Sequence, residues 1–184
     1  MADGALEPMT ADAFLAWAAE QPSGRFELVR GRVVEMAPEK TKHVLARAAV
    51  YVALRDAISA AGRDWTALPD GATVRIDAAT VYEPDALATA AALDLESIEV
   101  AEPVILVEVA SPSTRGVDAG AKLADYFRLP SLRHYLIVDP DRRVVIHHAR
   151  GEDGRILTEV VREGALGLDA LGAALAVDAL FPEA

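Results

Sequence analysis

Cysteine is absent from this chain of 184 residues, and aromatic residues make up only 5% of it. Without cysteine there are no disulfide bonds and no thiolate ligands, so any metal ion must be bound by carboxylates, carbonyls or histidine. Ligands of that kind favour a hard cation over a soft one.

Long apolar runs are absent as well. The charge-free apolar stretches are far shorter than the ~20 residues that cross a bilayer. The first ten residues, MADGALEPMT, have no basic start followed by an apolar stretch, which a secretory signal would need. We therefore expect a cytoplasmic protein with no membrane partner.

Basic residues are fewer than acidic ones. Lys and Arg total 18 against 29 Asp and Glu, which gives a net charge of −11. A field of this sign repels nucleic acid on average. The sequence nevertheless carries two local groups of basic residues: Arg25, Arg30 and Arg32 near the start, and Arg115, Lys122, Arg128 and Arg133 further along. Basic patches on an acidic body stay compatible with a nucleic-acid partner.

Length and composition indicate a single domain, residues 1–184. Apolar residues make up 52% of the chain and charged residues 26%, a balance typical of globular proteins. A chain of this size can bury roughly two thirds of its unfolded surface around one core. The sequence shows neither an internal repeat nor an interdomain linker.

The first half of the chain predicts two helices and a hairpin. Residues 10–20 combine the N-cap candidate Thr10 with apolar residues at helical spacing. FELVRGRVVEM alternates around Arg30-Gly31 and predicts a hairpin with a tight turn. Residues 41–61 repeat apolar residues every three or four positions and end at Gly62, which predicts a long helix.

The second half predicts an α/β arrangement. WTALPDGATVRID reads as strand, turn and strand, and EPDALATA contains a short strand. PVILVEVA is a run of strand length that should be buried on both faces, at the centre of a sheet. Residues 117–129 predict a helix and HYLIVD the next strand, which completes a βαβ unit. VVIHHAR and RILTEVVRE continue as an antiparallel meander, and LDALGAALAVDALF is apolar enough to close one edge.

Glu108 lies inside the apolar run of the expected central strand. An ionised carboxylate there costs several kcal/mol unless it is paired or bound to a metal ion. Two alternatives need no function: a buried salt bridge, or a strand end that reaches solvent beside Ser111. We favour a functional carboxylate, because unusual buried ionisable groups are enriched at functional sites.

Asp85 follows Pro84 and, taken alone, is typical of a turn. Together with Glu108, Asp85 is also a candidate metal ligand. Two carboxylates on adjacent strand ends can chelate one Mg²⁺ or Mn²⁺ ion and leave positions for water and a phosphate oxygen.

Two short motifs, Glu83-Pro84-Asp85 and Val107-Glu108-Val109, resemble the proline-aspartate and glutamate elements of the PD-(D/E)XK nuclease superfamily. Longer segments resemble its Uma-two family: FELVRGRVVEM, His43 opening a helix, EPDALA, VEVASPSTRGVDAGAKLADYFRLPSLRHYLIVDP and LAVDALF. The likeness covers nearly the whole chain. It implies a restriction-endonuclease-like mixed β-sheet flanked by helices, with the N-terminal hairpin and C-terminal antiparallel meander added to it.

The resemblance also implies roles for individual residues. Asp85, Glu108 and the backbone carbonyl of Val109 would be the metal ligands, and Glu27 would be a further acidic member of the catalytic site. From the residues alone, Glu27 alternates with apolar neighbours and is equally compatible with a solvent-facing strand position.

Ala110 departs from the superfamily pattern, which places the catalytic lysine two residues after the glutamate. Alanine can neither activate water nor neutralise charge. As in the family, we interpret Lys122 as a migrated catalytic lysine, because its helix should pack back across the sheet towards the strand end. The alternative is a surface ion pair of Lys122 with Asp118 or Asp125 at helical spacing.

Three further residues are candidates for substrate binding. His43, near the start of the long helix, is able to orient a water or contact a phosphate, although a solvated histidine at a helix end explains it as well. Ser111 follows the central strand and can donate to phosphate or cap the next helix. Arg115 belongs to the basic group around the same motif.

These features lead to one main hypothesis: a metal-dependent endonuclease that hydrolyses phosphodiester bonds of DNA. Lys122 would help to deprotonate or position the attacking water and would stabilise developing charge. We expect a homodimer, because cutting two strands with one site per chain requires two chains. The alternative is a non-catalytic nuclease-like module that binds a protein or nucleic acid, which the acidic balance and Ala110 favour. A glycosidase needs carboxylates at a defined separation, and the scarcity of rings for stacking on sugars argues against it.

Overall fold

A computed structural model describes residues 8–38, 40–110 and 117–181 of the chain, with the side chains of 117–119 left aside. Its α-helices are α1 (Ala11–Ala19), α2 (Thr41–Ala60) and α3 (Val117–Tyr126). Its strands are β1 (Phe26–Val29), β2 (Arg32–Glu35), β3 (Thr66–Pro69), β4 (Val74–Asp77), β5 (Thr80–Tyr82), β6 (Ala86–Thr89), β7 (Pro103–Val109), β8 (His134–Asp139), β9 (Val144–Arg150), β10 (Ile156–Val161), β11 (Ala165–Leu168) and β12 (Ala173–Ala176). A 3-10 helix, Val177–Leu180, follows β12.

A six-stranded mixed sheet forms the centre of the fold, in the order β10-β9-β8-β7-β6-β3. β7 and β8 are parallel and are connected through α3, whereas their neighbours pair antiparallel. The predicted βαβ unit, the interior position of PVILVEVA and the antiparallel meander are therefore confirmed.

The N-terminal hairpin belongs to a second, four-stranded sheet in the order β2-β1-β5-β4. Its turn has Arg30 at φ 51° and Gly31 at φ 80°. Two consecutive residues with positive φ are typical of the type I′ turn, whose twist matches that of the flanking strands. The predicted hairpin is confirmed, and its sheet stands beside the central one.

The helices follow the periodicity of the sequence. The Thr10 side chain caps α1 by accepting a hydrogen bond from the Ala13 amide at 3.2 Å. The buried positions of α2 recur at intervals of three and four: His43, Ala46, Val50, Leu54, Ala57 and Ile58. α3 ends at Tyr126, before the expected residue 129, and Leu129 bonds back to the Tyr126 carbonyl in a tighter turn.

The central sheet is covered on both faces. Val107 of β7 packs into a core that contains Leu54 of α2. Leu106, whose side chain points to the opposite face, packs into a core that contains Tyr126 of α3 and Tyr82 of β5. Glu108 has the same parity as Leu106, so its side chain lies on this second face, between α3 and the four-stranded sheet.

The C-terminal tail covers a face of the sheet, whereas the sequence suggested that it closes an edge. β11 and β12 form a separate hairpin that, with the 3-10 helix, contacts α2. Its apolar residues alternate, so the hairpin buries one face against the helix. Within the described residues β10 and β3 remain the edges of the central sheet. None of the helices described here is both long and apolar enough to span a membrane.

Candidate active site

Asp85 and Glu108 lie beside each other at one end of the central sheet. Ala86, the first residue of β6, pairs with Val107, so continuing this register by one residue places Asp85 opposite Glu108. Asp85 Oδ2 also accepts a hydrogen bond of 2.7 Å from the Val109 amide. The Asp85 side chain is 5% exposed and that of Glu108 15% exposed. Asp85 is therefore more than a turn residue, and the two acids are close enough to act together.

Lys122 connects two acids from different sheets. Its Nζ donates to Glu108 Oε1 at 2.9 Å and to Glu27 Oε1 at 2.8 Å. It reaches them because α3 packs back over the end of β7. The expectation that Lys122 lies at the strand end is confirmed. The alternative, a surface ion pair with Asp118 or Asp125, is wrong because the Lys122 side chain is only 14% exposed and its Nζ binds Glu27 and Glu108.

Glu27 faces the interior. Its side chain is 9% exposed, and its Oε1 also accepts a hydrogen bond of 3.1 Å from the Glu83 amide. The solvent-facing alternative is therefore wrong. Burial raises the pKa of Glu27, the positive charge of Lys122 opposes that rise, and the negative charge of Glu108 adds to it. We call Glu27, Asp85, Glu108 and Lys122 the acid–lysine centre.

The neighbouring acids of this centre favour the protonated form of Lys122. Burial lowers the pKa of Lys122, but the charges and hydrogen bonds of Glu108 and Glu27 outweigh burial and raise it above the ordinary value. A lysine that stays protonated cannot accept a proton from water. Its part in the expected chemistry is thus restricted to charge and positioning. The ion pair of Lys122 with Glu108 is also the buried salt bridge that the sequence left open as an alternative.

Tyr126 is a member of the site that the sequence analysis missed. Its hydroxyl donates to Glu108 Oε1 at 2.7 Å, and the residue is fully buried. Burial, and then the charge of Glu108, raise the pKa of Tyr126 well above its ordinary value, so the hydroxyl remains a donor. A signal was available, because Tyr126 follows Lys122 by four residues and so lies on the same side of α3.

Two arginines, also missed, approach Asp85. Arg47 Nη1 lies 3.4 Å from Asp85 Oδ1 and 2.8 Å from Asp70 Oδ2. Arg25 Nη2 lies 3.6 Å from Asp85 Oδ1, while its Nε donates to Glu83 Oε1 at 2.6 Å. Arg25 was noticed as part of a basic group, but its partners come from distant strands and could not be deduced from spacing.

His43 is buried, and the solvated alternative is wrong. The residue is 2% exposed, and neither ring nitrogen has a hydrogen-bond partner within the described part of the chain. It lies on the sheet-facing side of α2, one turn before Arg47. The other two candidates for substrate binding, Ser111 and Arg115, lie outside the described residues.

His147 and His148 are neighbours on β9, so their side chains point to opposite faces of the sheet and cannot bind one ion together. His148 Nδ1 lies 2.8 Å from Thr158 Oγ1. His147 belongs to a chain of four groups, in which two buried histidines lie between two exposed carboxylates. In this histidine chain His134 Nε2 contacts Asp169 at 2.8 Å, His134 Nδ1 contacts His147 Nε2 at 3.0 Å, and His147 Nδ1 contacts Glu159 at 2.9 Å.

The acid–lysine centre suits a hard cation in its chemistry. Three buried carboxylates (Glu27, Glu83 and Asp85) and the partly buried Glu108 lie beside three cationic side chains: Arg25, Arg47 and Lys122. The hydrogen bonds that Glu108 receives within the described residues both go to Oε1, which leaves Oε2 open to a ligand. In residues 8–38, 40–110 and 117–181, no three or more acidic or histidine side chains are grouped to hold a metal ion. Two carboxylates are nevertheless sufficient for Mg²⁺, which usually keeps several waters and takes phosphate oxygens as further ligands.

Comparisons with known proteins agree with this picture. Residues 11–178 match the model of the Uma-two family, described as "Putative restriction endonuclease". The crystal structure of a protein from Anabaena variabilis, described as "a putative nuclease belonging to DUF820", superposes with a TM-score of 0.75 over 95% of this chain and 98% of that one, at 16% identity. That likeness shows a shared α/β fold.

A second relative, the Synechocystis sp. protein slr1290, is 29% identical over 100 residues. The matched stretch spans 53% of each of the two proteins. The family match, in contrast, covers nearly all of the chain, and it includes each member of the acid–lysine centre. This protein therefore belongs to the Uma-two family of nuclease-like, restriction-endonuclease-related proteins.

Proposed function

We propose that the protein is a metal-dependent endonuclease that hydrolyses phosphodiester bonds of DNA. The observation that carries the proposal is that Glu27 of β1 and Glu108 of β7 share Lys122, while Asp85, which precedes β6, binds the amide next to Glu108. Bringing several carboxylates together in a partly buried place is costly unless cations offset their charge, and a divalent cation is suited to that role.

Asp85, Glu108 and the backbone carbonyl of Val109 would hold Mg²⁺ or Mn²⁺. A hard cation bound there would polarise a phosphate oxygen and lower the pKa of bound water. Lys122 keeps its proton and supplies positive charge beside the developing negative charge. Glu27, whose raised pKa makes it a stronger base than an ordinary carboxylate, is the proton acceptor in this proposal.

Substrate binding must overcome the net charge of −11. Arg25 and Arg47 offset the acids next to Asp85, so that an anionic backbone can approach. His43, whose ring nitrogens have no hydrogen-bond partner among the described residues, would donate to a phosphate. Ser111 and Arg115 stay candidates for the same role.

Cleavage of plasmid DNA in Mg²⁺ or Mn²⁺ tests the proposal. We expect Asp85→Ala and Glu108→Gln to abolish cleavage while the circular dichroism spectrum keeps its wild-type form. Arg128→Met serves as a control, because Arg128 pairs with Asp77 at the surface. Full activity in either acid variant would refute the assignment.

A non-catalytic nuclease-like module remains the second candidate, because Ala110 stands at the usual position of the lysine and Glu108 already has an ion-pair partner in Lys122. Calorimetry separates the two candidates. Binding of Mn²⁺ that is lost in Glu108→Gln supports the enzyme, whereas no binding to the wild-type chain supports the module.

The proposal also includes a homodimer, since two chains are needed to cut two strands with one site each. Sedimentation at several protein concentrations measures this directly. A monomer at every concentration, with double-strand cleavage intact, would contradict it.

A further inference from the structure

We infer that Tyr126 is a positioning residue for Glu108: together with Lys122 it holds Oε1, so that Oε2 is the oxygen presented to a bound cation. This inference rests on the proposed function, because it concerns the same metal ligand. It assigns a role to a side chain that neither the motif spacing nor the family resemblance singled out.

Two donors converge on a single oxygen of Glu108. The Tyr126 hydroxyl lies 2.7 Å and Lys122 Nζ lies 2.9 Å from Oε1. Both donors come from consecutive turns of α3, so they are rigidly related to each other. Rotation of the carboxylate would break both hydrogen bonds at once. Glu108 therefore has one preferred orientation before any ligand arrives.

The Tyr126 ring is itself fixed by its neighbours. It makes edge-to-face contacts with Tyr82 at 5.3 Å and with Tyr135 at 5.1 Å between ring centroids. Tyr135 comes from β8, the strand next to Glu108, and Tyr82 comes from the other sheet. The hydroxyl thus reaches Glu108 from a position that packing determines and that a solvent-exposed side chain could not maintain.

Tyr82 provides a matched control. Its hydroxyl donates to a carboxylate at the same distance, 2.7 Å, but that carboxylate is Asp125, which is outside the acid–lysine centre. Tyr82→Phe and Tyr126→Phe each remove one hydroxyl and keep the ring. Both variants should remain folded, and their thermal midpoints without metal should fall by similar amounts.

The test is the binding of Mn²⁺ to the full chain, measured by calorimetry for the wild type and both variants. We expect Tyr126→Phe to weaken the affinity by ~10-fold, as is typical when a group that orients a metal ligand is lost. Tyr82→Phe should retain the wild-type affinity. A merely structural role would change the affinity of the two variants alike, in line with their stabilities.

The outcomes separate this inference from the proposed function. Unchanged affinity in Tyr126→Phe, with wild-type binding that depends on Glu108, overturns the inference and leaves the proposed function standing. Equal losses in the two tyrosine variants also overturn it. If the wild-type chain binds no Mn²⁺, the proposed function fails first, and the inference falls with it.

Discussion

The acid–lysine centre and the histidine chain are both buried polar groups, and both involve the central sheet, but they are completed in different ways. In the histidine chain every ring nitrogen has a partner within 3.0 Å, and the chain ends on exposed carboxylates at both sides. In the acid–lysine centre, three acids surround one lysine, and the two donors to Glu108 among the described residues both bind Oε1. The two groups therefore differ in whether the described residues satisfy each polar atom, and we use that difference to distinguish a candidate site from a structural network.

The largest expected effect comes from removing the cation of the acid–lysine centre. Lys122→Met removes the cation that Glu27 and Glu108 share. Losing one member of a buried ion pair costs about 3–5 kcal/mol of unfolding free energy. Urea denaturation measures the loss.

Arg128→Met is the control for this substitution, because the Arg128 side chain is 52% exposed and surface pairs contribute about 0–1 kcal/mol. If both variants lost the same small amount of unfolding free energy, the ion pairs of Lys122 would contribute no more to stability than a surface ion pair. Adding Glu27→Gln to Lys122→Met should restore part of the stability, since one of the two negative charges is then removed.

The second prediction concerns the stability that added Mn²⁺ gives to the acid–lysine centre and not to the histidine chain. At a hundredfold excess of Mn²⁺ over its Kd, the wild-type chain should gain about 2.7 kcal/mol of stability through binding to the folded state alone. Glu108→Gln should gain nothing, and His134→Gln should gain as much as the wild type. Thermal unfolding with and without Mn²⁺ measures the gain. If His134→Gln lost the gain and Glu108→Gln kept it, the cation would bind at the histidine chain and not at the acid–lysine centre.

The third effect concerns the histidine chain, and per pH unit it is the smallest of the three. Burial, and then the charge of His147, lower the pKa of His134 from 6.5 to about 4, while Asp169 opposes this shift and Arg133 adds to it. Because the unfolded chain then binds more protons, stability is complete above pH 6.5 and is lost as the pH falls towards 4. The slope is about 1.4 kcal/mol per pH unit. Urea midpoints between pH 7 and pH 4 should fall less steeply in His134→Gln, and an unchanged slope would contradict the assignment.

Much of the fold could be predicted because local patterns determine it. The apolar run of β7, the spacing in α2 and the Arg30-Gly31 turn each indicate one structure. The division into sheets could not be predicted. β3 and β4 are separated by a short turn, as in a hairpin, yet they belong to different sheets. Strand pairing depends on packing across the whole chain, and the sequence of a turn does not specify it.

The candidate site was partly predictable for the same reason. Glu108 and Asp85 carry a local signal, namely a carboxylate in an apolar run and an acid after proline. Lys122 was located through the family resemblance. Arg47 carries no such signal, because its helical position shows which side of α2 it lies on but not that Asp85 lies opposite. Partners that come together from distant segments are visible only in the folded chain.

The hydrogen bond between Lys122 and Glu27 joins residues 95 positions apart. Closing a loop of that length costs chain entropy. The contacts that offset this cost form only when α3 and the four-stranded sheet are both in place. A nascent or partly unfolded chain consequently has no assembled centre, whatever its local structure. The hydrolytic chemistry proposed for this protein would require that long-range contact, so a chain that had not yet formed it would not cleave the nucleic acid around it.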